Sequence, residues 1–148
     1  RDASALAVRG YSVVAVEPAK RLRELGQILH RENSVDWIDD RLPTLRTLGE
    51  SLNSFDAIIV SAVWMHLNPV EQKEALETLS AMVKIGGRVF ISFRTASETE
   101  SVEIYSVPLD KLCGWAVDCR LKLIQKKQIR DPLGRKGVNW WSVVFEKF

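Results

Sequence analysis

Acidic residues follow two short apolar segments near the start of the sequence, and their side chains could bind a ligand. Glu17 ends the segment "YSVVAVE", and Asp39 and Asp40 end the segment "SVDWIDD". A buried strand that ends on a carboxylate puts a strong hydrogen-bond acceptor at the edge of a sheet. Acids in loops are usually just solvated. Two successive apolar segments with the same ending nevertheless favour a site for hydroxyl or amino groups of a ligand.

A second group of candidates lies at the end of the most apolar segment, "FDAIIVSAVW", and directly after it. The six residues concerned are Ser61, Ala62, Val63, Trp64, Met65 and His66. Histidine side chains titrate near neutral pH, so His66 could act as a general base. The alternative for His66 is a hydrogen-bonded residue at the start of the next helix. Trp64 could line a pocket for a cationic ligand or belong to the core.

The elements that must position these residues alternate along the chain. Apolar spacing predicts helices over 2–9, 19–31, 68–84 and 108–119, and strands over 11–17, 34–39, 55–64, 88–94, 121–131 and 139–148. The pattern of residues 42–52 predicts a short helix or a turn-rich connection. The polar composition of residues 95–103 predicts a mobile loop. Such alternation is typical of an α/β fold with an open, mostly parallel sheet and helices on both faces. Ligands of such sheets bind at the carboxyl ends of the strands.

Composition and charge narrow the class of protein. A chain of 148 residues without a linker-like stretch predicts a single domain, 1–148. Its 21 basic and 19 acidic residues give a net charge of +2, which favours neither nucleic acid nor a membrane surface as partner. The two cysteines, Cys113 and Cys119, lie six residues apart and are interpreted as thiols, not as a disulfide or a metal site. A cytoplasmic setting is the prediction that follows.

The order of elements and four local segments resemble the class I S-adenosylmethionine-dependent methyltransferases, a Rossmann-like family. The segments are "RDASALAVRGYSVVAVEPAK", "FDAIIVSAVWMHLNP", "LSAMVKIGGRVFIS" and "NWWSVVFEKF". The last one resembles the family's final strand, which runs antiparallel to the others and is inserted beside the fifth strand of the family, here "RVFISFR". One departure is clear: the family's first strand and its glycine-rich loop have no counterpart before Arg1. We therefore expect a chain truncated at that loop, which on its own could be inactive, and a missing strand between "YSVVAVE" and "FDAIIVSA".

The resemblance implies a role for each candidate residue. Glu17, followed by Pro18, would accept the ribose hydroxyls of S-adenosylmethionine, and either Asp39 or Asp40 would accept the adenine amino group. Residues 61–63 would line the methionine and sulfonium end of the cofactor, and residues 64–66 the pocket of the methyl acceptor. A small-molecule acceptor is implied, with oxygen or nitrogen as the methylated atom left open.

Two other functions stay open at this point. A nicotinamide-dependent oxidoreductase could use Glu17 in the same way, although a tyrosine–lysine catalytic pair is missing and the final segment argues against it. A non-catalytic module that keeps the fold and has lost cofactor binding is the third possibility.

Overall fold

The computed structural model describes residues 1–49, 51–95, 104–131, 133–135 and 137–148. The predicted mobile loop, residues 95–103, lies almost wholly outside this part of the chain. The chain divides into two compact units, Arg1–Glu50 and Ser51–Phe148. Within the described ranges, no helix is both long and apolar enough to cross a membrane.

The first unit consists of two parallel strands and two helices. Its elements are α1 (Asp2–Ala7), β1 (Val13–Val16), α2 (Lys20–Leu29), β2 (Val35–Ile38) and a 3₁₀ turn (Arg46–Leu48). The β-branched residues of β1 pair in register with β2, from Val13 opposite Val35 to Val16 opposite Ile38. Helix α1 ends earlier than predicted, and Gly10 follows it with a φ of 87°, which glycine adopts at little cost.

Helix α2 forms where the leucine spacing predicted it, but the apolar stripe is not buried. Its members are exposed: Leu22, Leu25, Ile28 and Leu29. The helix packs instead through Gly26, where an added Cβ would clash with the ring of Trp37. The absence of a side chain at Gly26 therefore allows the close approach of α2 to the tryptophan of β2.

The second unit begins with strand β3 (Phe55–Ser61), a 3₁₀ turn (Trp64–His66) and helix α3 (Pro69–Met82). The start of α3, close to the predicted start at residue 68, is specified by residues of its own first turn. The Asn68 side chain accepts hydrogen bonds from the backbone N–H groups of Val70 and Glu71, and the Glu71 carboxylate accepts one from the Asn68 N–H. This reciprocal pair is a capping box, and Pro69 at the first helical position completes the signal.

The remaining elements of the second unit are β4 (Val83–Arg94), α4 (Leu109–Asp118), β5 (Leu121–Arg130) and β6 (Asn139–Lys147). The sheet has the order β3–β4–β6–β5, with β3 parallel to β4. Strand β6 is antiparallel to both neighbours, β4 and β5. The predicted insertion of an antiparallel last strand beside "RVFISFR" is therefore confirmed.

Strand β4 begins five residues before the predicted position, because the glycine turn lies within it. Phe55 of β3 lies opposite Val83, and Ala57 lies opposite Arg88, so the register of the two strands shifts between these pairs. Gly87 is among the residues of β4 between the two pairs, and an added Cβ there would be 2.9 Å from the Asp56 carbonyl oxygen. A side chain at this position would therefore push β3 and β4 apart.

The core of the second unit lies between its sheet and its two helices. Completely buried side chains come from every layer, as in Leu76 of α3, Val89 of β4, Leu112 of α4 and Phe145 of β6. Three apolar residues of α3 and the first residue of β4 are buried together: Leu76, Leu79, Met82 and Val83. Both cysteines are unpaired and partly buried. Loss of hydration raises the pKa of the Cys113 thiol and that of Cys119.

Candidate functional site

Glu17 follows β1 directly and closes the turn that leads into α2. The Glu17 backbone N–H donates to the carbonyl oxygen of Ile38, 3.1 Å away, so the pairing of β1 with β2 extends up to this residue. One carboxylate oxygen, Oε1, accepts a hydrogen bond of 2.8 Å from the backbone N–H of Ala19. This bond orients the carboxylate, and Oε2 has no hydrogen-bond partner within the described ranges. Glu17 is partly exposed, so a ligand can reach it.

Arg23 of α2 joins the ends of the two strands, and nothing in the sequence pattern pointed to it. Its Nη1 donates to the carbonyl oxygens of Glu17, at 2.7 Å, and of Pro18, at 3.4 Å. Its Nη2 donates to Oδ2 of Asp39 at 2.7 Å, as part of an ion pair. The Arg23 side chain is only 14% exposed, whereas that of Asp39 is 68% exposed. One guanidinium thus connects the residues after β1 with the first acid after β2.

The two neighbouring acids after β2 have different surroundings, which the sequence did not reveal. Asp40 accepts hydrogen bonds from the backbone N–H groups of Arg41, Thr47 and Leu48, so both of its oxygens are engaged by the loop and 3₁₀ turn that follow. Asp39 contacts Arg23 through Oδ2 alone, and its Oδ1 has no hydrogen-bond partner among the described residues. Asp40 therefore holds its own loop, and Asp39 is open to a ligand.

The end of β3 and the turn that follows it are exposed, and the backbone is strained at Ala62. Ser61 and Val63 are exposed and Ala62 is partly so. Ala62 has a φ of 59°, a left-handed conformation that costs a residue with a Cβ about 1–2 kcal/mol. Its N–H is held by Ser92 of β4, through the carbonyl oxygen at 3.0 Å and the hydroxyl at 3.2 Å. Strain that neighbouring contacts maintain is common at ligand sites.

The next three residues divide between the core and the surface. Trp64 has no exposed surface and Met65 is also buried, so both side chains pack inside the second unit. His66 is exposed, and its backbone N–H donates to the carbonyl oxygen of Val63 at 2.9 Å. The assignment of Trp64 to the core, one of the two alternatives from the sequence, fits this burial.

A segment after β4 lies against the same turn and was not identified from the sequence. The Tyr105 backbone N–H donates to the carbonyl oxygen of Met65 at 2.8 Å. The buried Gln72 of α3 donates through Nε2 to the carbonyl oxygens of Leu67, at 2.9 Å, and of Ser106, at 3.4 Å. These bonds join the chain around Tyr105 to the turn that carries His66.

Comparison with known proteins identifies the family. A family profile described as "Methyltransferase domain" matches residues 1–91. No curated protein sequence matches the chain significantly.

Several solved structures share the fold. One is a magnesium protoporphyrin IX methyltransferase from Synechocystis, with a TM-score of 0.75 and 12% identity over 99% of this chain and 68% of that one. A S-adenosylmethionine-dependent methyltransferase from Methanosarcina mazei has a TM-score of 0.72 and 14% identity over 97% and 85%. A 1,6-didemethyltoxoflavin N1-methyltransferase from Burkholderia thailandensis has a TM-score of 0.62 and 16% identity over 99% and 77%.

Proposed function

We propose that this chain, which belongs to the methyltransferase-domain family and has the class I S-adenosylmethionine-dependent fold, transfers a methyl group to a small molecule. Membership in the family rests on a profile match over residues 1–91. S-adenosylmethionine is the methyl donor, since the similar structures include methyltransferases with S-adenosylhomocysteine bound, the compound that remains after the methyl group has been transferred. The observation that carries the proposal is the pair of acids, Glu17 and Asp39, at the ends of adjacent parallel strands.

Glu17, with Pro18 beside it, is proposed to bind the ribose of the cofactor. A carboxylate at the end of the second strand of a Rossmann-like sheet can accept hydrogen bonds from both hydroxyls of a ribose. The bond from the Ala19 N–H leaves Oε2 and further lone pairs of Oε1 for such a ligand.

Asp39, and not Asp40, is proposed to accept the adenine amino group. The support is the difference in hydrogen bonding: the Asp40 oxygens already accept three backbone N–H groups, whereas Oδ1 of Asp39 accepts none. A donor on the base would have to displace bonds of the loop to reach Asp40. Asp39 can accept such a bond without any rearrangement.

The exposed turn after β3 is proposed to contact the methionine end of the cofactor and the methyl acceptor. Ser61, Ala62 and Val63 would face the methionine end of the cofactor. His66 would face the methyl acceptor, with the buried Trp64 and Met65 supporting the turn from inside the second unit. Transfer of a methyl group from a sulfonium is a displacement on an activated carbon. Proximity and alignment of the acceptor can therefore supply most of the rate, and a general base is not required. Nitrogen and oxygen acceptors are both compatible with this site.

The protein is proposed to act in the cytoplasm.

Calorimetric titration of the full-length protein with S-adenosylhomocysteine tests the proposal. We expect saturable binding with one site per chain, and no binding of NADH under the same conditions. Binding of NADH in place of S-adenosylhomocysteine would refute the proposed donor and favour a dinucleotide enzyme, because the same acid could bind either ribose.

A further inference from the structure

Arg23 of α2 contacts the proposed cofactor site through three hydrogen bonds. Its guanidinium donates to two carbonyl oxygens after β1 and to the carboxylate after β2, at 2.7, 3.4 and 2.7 Å. Each of these acceptors is within one residue of a proposed cofactor ligand or belongs to one. We propose that Arg23 is a positioning residue that holds the Asp39 carboxylate where it recognises the amino group of the adenine base. This inference rests on the proposed function.

The geometry of the guanidinium explains why arginine is suited to this task. Its nitrogens lie in one plane and point in fixed directions, so one side chain can join two carbonyl oxygens with a carboxylate. A lysine ammonium is a compact charge on a flexible stem and does not impose such an arrangement. The surrounding unit buries most of the Arg23 side chain, which removes much of its freedom to move.

Because Asp39 is exposed, the contact with Arg23 affects how readily its carboxylate can bind a ligand. An aspartate that is 68% exposed would otherwise sample several rotamers in water, and binding would have to restrict them. The ion pair with Arg23 fixes the position of Oδ2. Since both oxygens belong to one planar carboxylate, the same contact also restricts where Oδ1 points. Arg23 therefore reduces the entropic cost of the bond to the base without touching the base itself.

Two ligands that differ only at position 6 of the purine separate this role from a general structural one. The 6-deamino analogue of S-adenosylhomocysteine carries a hydrogen atom in place of the amino group and keeps N1 as an acceptor, so it has no donor for Asp39. Wild-type protein should prefer S-adenosylhomocysteine by about tenfold or more, since an unpaired acceptor replaces a hydrogen bond to a charged group. Arg23→Met should weaken S-adenosylhomocysteine binding by about tenfold and binding of the 6-deamino analogue much less, so the preference approaches one.

Arg21→Met is the matched control. Arg21 is an exposed arginine of the same helix, and its replacement removes the same charge without touching either strand end. This variant should keep the wild-type preference.

The outcomes distinguish the inference from the proposed function on which it rests. If wild-type protein binds neither ligand, the proposed function fails. If Arg23→Met weakens both ligands equally and keeps their ratio, the positioning role is overturned while the function stands. Should Arg23→Met fail to fold, Arg23→Lys is measured in the same way, and an unchanged preference in that variant overturns the inference.

Discussion

At the scale of single residues, hydrogen-bond partners separate candidates that look equivalent in the sequence. Asp39 and Asp40 are adjacent and chemically identical, yet the backbone N–H groups of Thr47 and Leu48 engage only Asp40. Residues 61–66 are likewise consecutive, but Trp64 and Met65 are buried and the others reach the surface. The proposed assignments follow from these differences in contact and exposure.

Replacement of Glu17 tests the proposed ribose ligand. Glu17→Ala removes a charged acceptor of two hydroxyl hydrogen bonds, so the affinity for S-adenosylhomocysteine should fall by about 1.5–3 kcal/mol, or roughly 10- to 150-fold. Calorimetry measures the change, with Glu24→Ala on the exposed face of α2 as the control. An affinity of Glu17→Ala within twofold of wild type would contradict the assignment.

The role of His66 is tested by the rate and not by binding. Because alignment of the acceptor can drive methyl transfer without a base, His66→Gln should lower the turnover number by less than about tenfold. The measurement is steady-state turnover with any acceptor that supports the reaction, together with the affinity for S-adenosylhomocysteine. A loss of a hundredfold or more in a folded variant with unchanged affinity would identify His66 as the base.

At the scale of elements, the start of α3 is specified by its own residues. Asn68→Ala removes the side-chain acceptor for the Val70 and Glu71 N–H groups, and should lower the free energy of unfolding by about 1 kcal/mol. Chemical denaturation measures this change. Val70→Ala, at an exposed position of the same turn, should have a much smaller effect, and equal effects of the two variants would contradict the capping role.

The hairpin of β5 and β6 is held together by an acid, Asp131, for which the sequence pattern predicted no role beyond the end of a strand. Asp131, whose side chain is 2% exposed, accepts hydrogen bonds from the Arg135 backbone N–H, from Nε and Nη2 of Arg135, and from Nε1 of Trp140. These bonds, led by those of the Arg135 side chain, hold the pKa of the Asp131 carboxyl well below its usual range. The ionised form of Asp131 is therefore the one that the folded hairpin stabilises.

The sign of the pH dependence follows from this depressed pKa. The stabilisation is fully present above the usual aspartate pKa of about 3.9 and is lost as the pH falls below it toward the lower pKa of the folded state. Asp131→Asn should be less stable than wild type at pH 7, and the difference should shrink as the pH is lowered below 4. Thermal unfolding across this range measures it, and a difference that does not vary with pH would contradict the account.

At the scale of the whole molecule, local signals and overall order were predictable, whereas contacts between distant elements were not. The capping box of Asn68 and Glu71 is a pattern within four residues, so the sequence contains all of it. The place of β6 beside β4, antiparallel to it, was predicted from the order of segments typical of the family. The single domain, 1–148, stays a prediction, since the chain divides into two compact units.

The features that sequence reasoning missed share a physical reason. The Arg23–Asp39 pair joins residues sixteen positions apart, and the contact depends on how α2 packs beside β2 through Gly26. Leucine spacing in α2 predicted a helix but could not say whether another element covers its apolar side, and in this structure none of that stripe is buried. Periodicity specifies an element, and packing decides what its side chains contact.

The most direct test of the central claim is a crystal structure of the full-length protein with S-adenosylhomocysteine bound. We predict that both ribose hydroxyls lie within hydrogen-bond distance of the Glu17 carboxylate and that the adenine amino group lies within that distance of Asp39 Oδ1. A complex in which the ribose contacts neither oxygen of Glu17, with the ligand bound elsewhere on the chain, would contradict the proposed cofactor site.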